Sequence, residues 1–432
     1  MKTTTRRQFL SSAVVGGMAV ANLPLMSSCS TGNSKTFSAE ELQARYDKLD
    51  QVIEQPVFKK ELFPDPVIIE TVEMLEHNNI YLCRVRSKDG AEGISVAHPF
   101  NTAMLIPIFL NTARSFFIGQ DARELDVLVK KFYLFNSNFR LNGLAIGVPL
   151  ANIEFAILDM MGKIANKSAA QLIGEIHAPE VGVYLATEHR GAALEDHFER
   201  IKREVAEFDV TAIKIRVGYQ TGTKDINYAG VPGKVEKLIP MVRAHYGDKW
   251  SLYADANGYW NVPEAIRIGR ILEEYNYSFF EEPVMYFHFE DTKKVSDALT
   301  IPIAHGEQDQ SLYNFRWLLA HDGIGVVEPD AYYIGGFIRA MRVALMGQAM
   351  GKPCVTHMSG GGLGFLYNAL FVSAVPNSIP HTEFKNFQTN VPYECPTAEM
   401  KIVNGKMKAP TGPGMGAVID PDFIAKLQVV RG

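Results

Sequence analysis

The sequence predicts an α/β fold built from repeated strand–helix units that close into a parallel barrel, and three observations support this. Short apolar runs rich in Val, Ile, Tyr and Phe recur in the second half of the 432-residue chain, each followed by a charged residue. Successive charged residues are 23 to 27 positions apart, about the length of a strand, loop, helix and loop. Amphipathic stretches with helical periodicity, such as HFERIKREVAEF, accompany the apolar runs.

Six charged residues mark this repeat: Asp255, Glu281, Glu307, Asp330, His357 and Glu383. In a parallel barrel all six would lie at the carboxyl ends of strands, on the rim where such barrels carry chemistry. Carboxylates converging from separate strands are the hard oxygen ligands that Mg²⁺ requires, with water and substrate in the remaining positions. Any single acid could instead cap the helix that follows it, but six in register favour a shared site.

An earlier strand, VTAIKIRVG, carries Lys214 and Arg216. Because residues i and i+2 of a strand point to the same side, both cations face the barrel interior if either does. Two buried cations are costly unless they face anions or a bound acid, so they are candidates for substrate binding. The alternative is a solvated edge strand with alternating charge.

The motifs DANGYW, FEEP, GEQ and EPDAYYIGG, followed by a late histidine, resemble the enolase superfamily in this order. The mandelate racemase and muconate lactonizing enzyme family, in its acid-sugar dehydratase branch, is the nearest match, and the resemblance covers nearly all of the chain after Phe63. It implies a (β/α)7β TIM-like barrel over residues 179–388 and an α+β capping domain over residues 36–178. Residues 389–432 would pack back on the cap.

The resemblance also implies a metal site. Asp255, Glu281 and Glu307 match the family's Mg²⁺ ligands. Glu282, beside Glu281, is interpreted as a supporting residue, although one sequence does not separate the two neighbouring acids.

His357 and Asp330 match the family's His–Asp dyad, in which the carboxylate orients the imidazole and makes it a better base. Glu383 matches a late glutamate that hydrogen-bonds the substrate carboxylate or its enediolate. The departure is Arg216, because the racemising branch has a lysine there that serves as a second base. Arginine stays protonated, so Arg216 is suited to binding and Lys214 to neutralising carboxylate charge.

One competent base favours a dehydratase that converts a sugar acid into a 2-keto-3-deoxy acid. Two alternatives stay open. The first is an epimerase, racemase or cycloisomerase acting at the α-carbon of a carboxylate substrate, and the second is a sugar-acid-binding lipoprotein without turnover. Relatives are commonly multimeric, so a homo-oligomer is expected.

In the cap, PVIIETVEML and IYLCRVRSKDGAEGISVA predict a small antiparallel sheet, followed by helices. The loop between the first two strands, around residues 76–79, is short compared with many relatives. Glu154 and Asp159 lie at helical spacing among apolar residues, so we interpret them as packing or capping groups.

Residues 1–35 are predicted to be an export signal and tether. Arg6 and Arg7 precede an apolar, small-residue stretch that ends near Cys29, which resembles a twin-arginine leader with a lipoprotein box. The expected location is the periplasm or, with lipid on Cys29, the bacterial envelope. Net charge of −5 and a pI near 6.2 argue against nucleic acid as a partner.

Overall fold

The structure is a computed structural model that describes residues 36–135, 141–188, 193–218, 233–385, 387–395 and 400–431. The predicted export leader, residues 1–35, lies outside the described residues. Most of the long connection between Val217 and Lys234 also lies outside them.

The first described segment forms an antiparallel sheet packed against helices. Strand β1 pairs with β2, and β2 pairs with β3. Asn78 and Asn79 connect β1 to β2 with positive φ angles of 52° and 62°, a conformation that asparagine tolerates in a tight hairpin. The elements are α1 (Ala39–Glu54), β1 (Ile69–His77), β2 (Ile80–Ser87), β3 (Glu92–Val96), α2 (Thr102–Ile108), α3 (Arg114–Phe117), α4 (Leu125–Leu134), α5 (Leu144–Ala165) and α6 (Ala169–Ile173).

The barrel follows as alternating strands and helices. Its parallel strands are ordered β10-β4-β5-β6-β7-β8-β9, so that the last strand pairs with the first. The elements are β4 (Glu180–Ala186), α7 (Leu194–Ala206), β5 (Ala212–Arg216), α8 (Lys234–Tyr246), β6 (Ser251–Asp255), α9 (Val262–Glu274), β7 (Phe280–Glu281), α10 (Phe289–Ala298), β8 (Ile303–His305), α11 (Leu312–Ala320), β9 (Val326–Val327), α12 (Phe337–Ala349), α13 (Leu363–Ser373) and β10 (Thr382–Phe384).

The stretch 354–357 takes the position of the remaining barrel strand. Cys354 forms isolated parallel bridges to Val327 on one side and Ser378 on the other, and His357 forms one to Asp330. Six strands before it and one after it complete the ring. The predicted TIM-like α/β fold with a capping α+β part is therefore confirmed.

The end of the chain contacts both sheets. Strand β14 pairs antiparallel with β1 of the first sheet, and β12 pairs antiparallel with β4 of the barrel. The domain boundaries drawn from the sequence stay a prediction. The elements are β11 (Tyr393–Glu394), β12 (Lys406–Lys408), β13 (Val418–Ile419), α14 (Pro421–Ile424) and β14 (Gln428–Val429).

Helix α5 lies at the centre of the packing between the two parts. Among the described helices, it alone has the length and apolar composition of a membrane span, but 89% of its most apolar window is buried in protein. Its two buried acids accept backbone hydrogen bonds from neighbouring segments. Glu154 accepts from the Ile338 amide at 3.1 Å, and Asp159 accepts from the Ile94 and Met415 amides at 2.9 Å. Both acids hold segments together, and neither lines the cavity described below.

Burial raises the pKa of Glu154 from 4.5 to about 8, although amide hydrogen bonds from α12 oppose the shift. The folded protein thus binds this proton more tightly than the unfolded chain. The contribution of protonated Glu154 to the free energy of unfolding is fully present below pH 4.5 and declines as the pH rises towards 8. We expect Glu154→Gln to remove this decline and to raise the free energy of unfolding at pH 9 by about 1–3 kcal/mol.

Chemical denaturation at pH 5 and pH 9 measures this difference. Glu274→Gln, at an exposed position at the end of α9, is the control and should leave the pH dependence unchanged. Equal pH dependence in wild type and Glu154→Gln would contradict the assignment.

Candidate active site

Three carboxylates meet at the carboxyl ends of β6, β7 and β8. Parallel register places Asp255 beside Glu281, and Glu307 follows the end of β8. One carboxylate oxygen from each of the three acids lies within 4.8 Å of the others. All three side chains are buried, so the strand ends themselves bring the charges together.

Two cations lie among these acids. Lys214 Nζ is 2.6 and 2.8 Å from the two carboxylate oxygens of Glu281 and 3.0 Å from Glu383. Arg216 forms an ion pair with Asp255, and its Nε donates to the Thr187 carbonyl at 3.0 Å. Since Lys214 is 0% and Arg216 5% exposed, the strand faces the barrel interior and the edge-strand alternative is wrong.

His357 and Asp330 form the expected pair. His357 Nδ1 lies 2.8 Å from Asp330 Oδ2. The carboxylate is fixed by backbone amides: Tyr332 and Tyr333 donate to Oδ1 at 2.8 and 2.9 Å, and Ser359 donates to Oδ2 at 2.8 Å. Because an ionised carboxylate only accepts, the proton of neutral His357 is assigned to Nδ1, which leaves the Nε2 lone pair as the proton acceptor.

Nε2 of His357 points towards the acids. It is 3.2 Å from Glu307 Oε2 and 3.5 Å from Glu383 Oε2. Glu383 is held in place by the Met358 amide, which donates to its Oε2 at 2.9 Å. The structure therefore brings together all eight residues singled out from the sequence: Lys214, Arg216, Asp255, Glu281, Glu307, Asp330, His357 and Glu383.

The charges of these groups depend on one another. Burial alone would lower the pKa of Lys214, but Glu281 and Glu383 outweigh it and hold the pKa well above its usual value. Burial likewise disfavours the His357 cation, yet Glu307 and Glu383 raise its pKa. Burial would raise the pKa of Glu307, but the charges of His357 and Lys214 bring it to about 2.

The remaining acids are pushed towards their neutral forms. Burial raises the pKa of Glu281 to about 7 in spite of the opposing Lys214 charge. Burial, together with the neighbouring carboxylates, holds the pKa values of Glu282 and Glu328 well above the usual range. Buried acids thus outnumber buried cations, and added positive charge would favour their ionised forms.

Glu328 is a buried acid of the cluster that we did not predict from the sequence. Its side chain is fully buried 4.0 Å from Lys214 Nζ, and its oxygens accept no hydrogen bond from the described residues. Its position two residues before Asp330 was the available signal. Asn257 was also missed; it donates to Glu307 Oε1 at 3.3 Å and accepts from Arg216 at 3.2 Å.

The residues fit a hard divalent cation. Asp255, Glu281 and Glu307 offer only oxygen, which suits Mg²⁺. Asp255 Oδ2 and Glu307 Oε2 are buried and accept no hydrogen bond of good geometry from the described residues, although the first lies near Arg216 and the second near the His357 imidazole. Such oxygens are available to a metal ion.

A cavity of about 390 Å³ opens beside the cluster. His357 lines one side, Arg216 and Asn257 line another, and Tyr333 and Lys385 lie at its wall. The predicted proton acceptor and the buried guanidinium thus face the same cavity. This volume lies within the range typical of pockets for small molecules.

Removing the Lys214 charge should destabilise the protein. Lys214→Met leaves Glu281 and Glu383 buried without their cation, and breaking such a buried pair costs about 3–5 kcal/mol. Denaturant unfolding in the presence of a chelator measures this loss. Lys293→Met, which removes a partly exposed pair with Asp297 on α10, should cost less than about 1 kcal/mol and is the control. Equal losses in the two variants would contradict the structural role of Lys214.

The fold and this site define a member of the enolase superfamily. The chain belongs to the family described as enolase C-terminal domain-like, which matches residues 196–423, more than half of the 432-residue chain. The resemblance inferred from the motifs is therefore confirmed at the level of the superfamily.

Individual relatives carry two kinds of activity. Arabinonate dehydratase of Saccharolobus solfataricus is 25% identical over 79% of this chain and 88% of its own length. D-galactarolactone cycloisomerase of Agrobacterium fabrum is 25% identical over 72% of this chain and 82% of its own length. The relatives thus include a lyase and an isomerase.

A solved structure shares the fold. The mandelate racemase/muconate lactonizing protein from Paracoccus denitrificans PD1222, determined in complex with magnesium, superposes with a TM-score of 0.72. It is 24% identical, and the match covers 84% of this chain and 99% of that one.

Proposed function

We propose that this protein is a Mg²⁺-dependent hydro-lyase that converts a sugar acid into a 2-keto-3-deoxy acid. One observation carries the proposal: His357, the one histidine among the described residues that line the cavity, faces it from one wall, and the guanidinium of Arg216 faces it from another. A histidine in this position is suited to removing a proton and returning it to a leaving group. A two-base racemase would need a second acceptor, which arginine does not supply.

Asp255, Glu281 and Glu307 would hold the Mg²⁺. When bound, the ion supplies positive charge that stabilises the negative charge developing on the substrate carboxylate as the α-proton is removed.

His357 performs both proton transfers in this proposal. Nε2 removes the proton from C2, and Asp330 stabilises the imidazolium that results. The imidazolium then returns the proton to the C3 hydroxyl, which leaves as water. The enol product tautomerises to the 2-keto-3-deoxy acid, so the substrate has lost one molecule of water overall.

The other site residues bind and position. Lys214, held between Glu281 and Glu383, presents a fixed positive charge beside the acids. Arg216 is fixed by Asp255 and the Thr187 carbonyl, so its guanidinium is available to orient a substrate oxygen without moving. Glu383 lies between Lys214 and His357, beside the place where the substrate carboxylate would bind.

An isomerase is the second candidate, because D-galactarolactone cycloisomerase is among the relatives. In that reaction the α-carbon would be protonated without loss of water. Incubation in D₂O separates the two: deuterium at C2 of recovered acid without any keto product would favour isomerisation. Binding of acids without exchange or product would favour a binding protein.

Turnover of a library of aldonic, uronic and aldaric acids tests the proposal. With Mg²⁺ we expect one or a few acids to yield a 2-keto-3-deoxy product, and His357→Asn to lower kcat about 10²–10⁴-fold because the general base is lost. Treatment with EDTA should abolish product, and Mg²⁺ should restore it.

His288→Asn, at an exposed histidine before α10, is the matched control and should leave kcat unchanged. Product formed by metal-free protein, or full activity in His357→Asn, would overturn the mechanism.

We also propose that the protein is exported and that Cys29 carries lipid. The arginine pair and apolar stretch of residues 1–35 support this. In a bacterial host we expect the full chain in the membrane fraction and Cys29→Ala as a soluble periplasmic protein. Replacing Arg6 and Arg7 by lysine should leave the chain in the cytoplasm; export that is unaffected by this change would contradict a twin-arginine leader. The homo-oligomer also stays a prediction.

A further inference from the structure

A second cavity adjoins the one that contains His357. It has a volume of about 490 Å³, and four residues line both cavities: Phe100, Glu188, Ser359 and Lys385. The two cavities are thus adjacent and meet at these four residues, with the reacting groups in the first. The second lies over the end of β4 and the C-terminal part of α7.

The second cavity is large for the end of one sugar acid. Pockets of about 300–1,000 Å³ bind whole drug-sized ligands, and each of the two cavities reaches this range by itself. A single aldonic acid is smaller than such ligands and would occupy the first cavity alone. The space beyond it has room for another sugar unit.

The charges of the residues that line the second cavity indicate whether the additional sugar unit is neutral or acidic. Among the described residues, its lining contains one cation, Lys385, and three acids: Glu188, which is paired with Arg216, and Glu204 and Glu207. A second carboxylate at this end would meet an excess of negative charge, which disfavours dicarboxylic acids. Neutral hydroxyl groups, in contrast, donate hydrogen bonds to carboxylates.

The apolar part of the wall suits the carbon face of a sugar ring. Phe208 lines the cavity, and its ring is packed edge-on against Phe384 and Phe387, with centroids 5.0 and 5.7 Å away. Leu185 adds aliphatic surface beside it. A fixed aromatic ring beside carboxylate acceptors is a combination that can orient a neutral carbohydrate.

We infer that the substrate is a monocarboxylic sugar acid with a neutral glycosyl extension, the acid end in the first cavity and the extension in the second. This inference rests on the proposed dehydration. The chemistry at C2 and C3 is unchanged, and the glycosyl group on a more distant hydroxyl stays attached to the product.

The experiment compares three acids with the same stereochemistry at C2 and C3. They are the aldonic acid found active in the library, its 4-O-glycosyl derivative and the corresponding aldaric acid. We expect kcat/KM for the glycosyl acid to exceed that of the aldonic acid at least tenfold, mainly through KM. The aldaric acid should be the poorest of the three.

The double variant Glu204→Gln/Glu207→Gln tests the assigned wall. KM for the glycosyl acid should rise about tenfold, KM for the aldonic acid less than twofold, and kcat/KM for the aldaric acid should increase. Glu199→Gln lies on the same helix but does not line the cavity, so it should change none of these values. A general structural effect of the double variant would instead impair all three acids equally.

Equal kcat/KM for the aldonic and glycosyl acids would overturn the inference of a glycosyl extension while leaving the proposed dehydration intact.

If no acid is turned over, the proposed reaction fails, and the inference is then tested separately by calorimetry with His357→Asn and Mg²⁺. Binding of maltobionate at least tenfold tighter than gluconate would then support the second subsite, and equal binding or none would reject it.

Discussion

The active site depends on one buried contact, the ammonium group of Lys214 between Glu281 and Glu383. These carboxylates lie on strands far apart in the barrel, and a single cation bridges them at 2.6–3.0 Å. An ion pair inside a protein offsets the free-energy cost of removing its charges from water only when its geometry is good and further hydrogen-bond partners are present. Arg216 forms a similar contact with Asp255, and the His357 imidazole lies near Glu307, so each acid proposed to bind metal has a basic side chain beside it.

These basic groups nevertheless do not neutralise all of the buried carboxylates. Glu282 and Glu328 are buried in the same cluster, and burial with neighbouring acids holds their pKa values well above the usual range. Glu282 also adopts a positive φ of 37°, a conformation that is uncommon for residues with a side chain and concentrates at functional sites. A fold that keeps so many acids together at a cost in stability is consistent with a site selected for cation binding.

Much of this could be predicted from the sequence, because a strand–helix repeat fixes where strand ends lie. Residues 255, 281 and 307 follow one period, and the barrel brings their side chains within 4.8 Å. Glu328 directly follows β9 but was not predicted, because Asp330, two residues later, marks the same strand end in the repeating pattern. Glu204 and Glu207 were not predicted as cavity residues either, because the sequence of a helix does not indicate which cavity its surface faces. Pairing of β14 with β1 joins residues more than 350 positions apart, which periodicity does not reveal.

Our preference for dehydration over two-base racemisation depends on how firmly Arg216 is held. Its Nε donates to the Thr187 carbonyl, one Nη donates to Asn257, and the other to Glu188. The neighbouring acids, chiefly Glu188, more than offset the effect of burial and raise its pKa above the ordinary arginine value. A guanidinium so bound cannot accept a proton from C2 or turn away to admit another base. In the proposed reaction, proton transfer therefore falls to His357, which would also return the proton to the leaving hydroxyl.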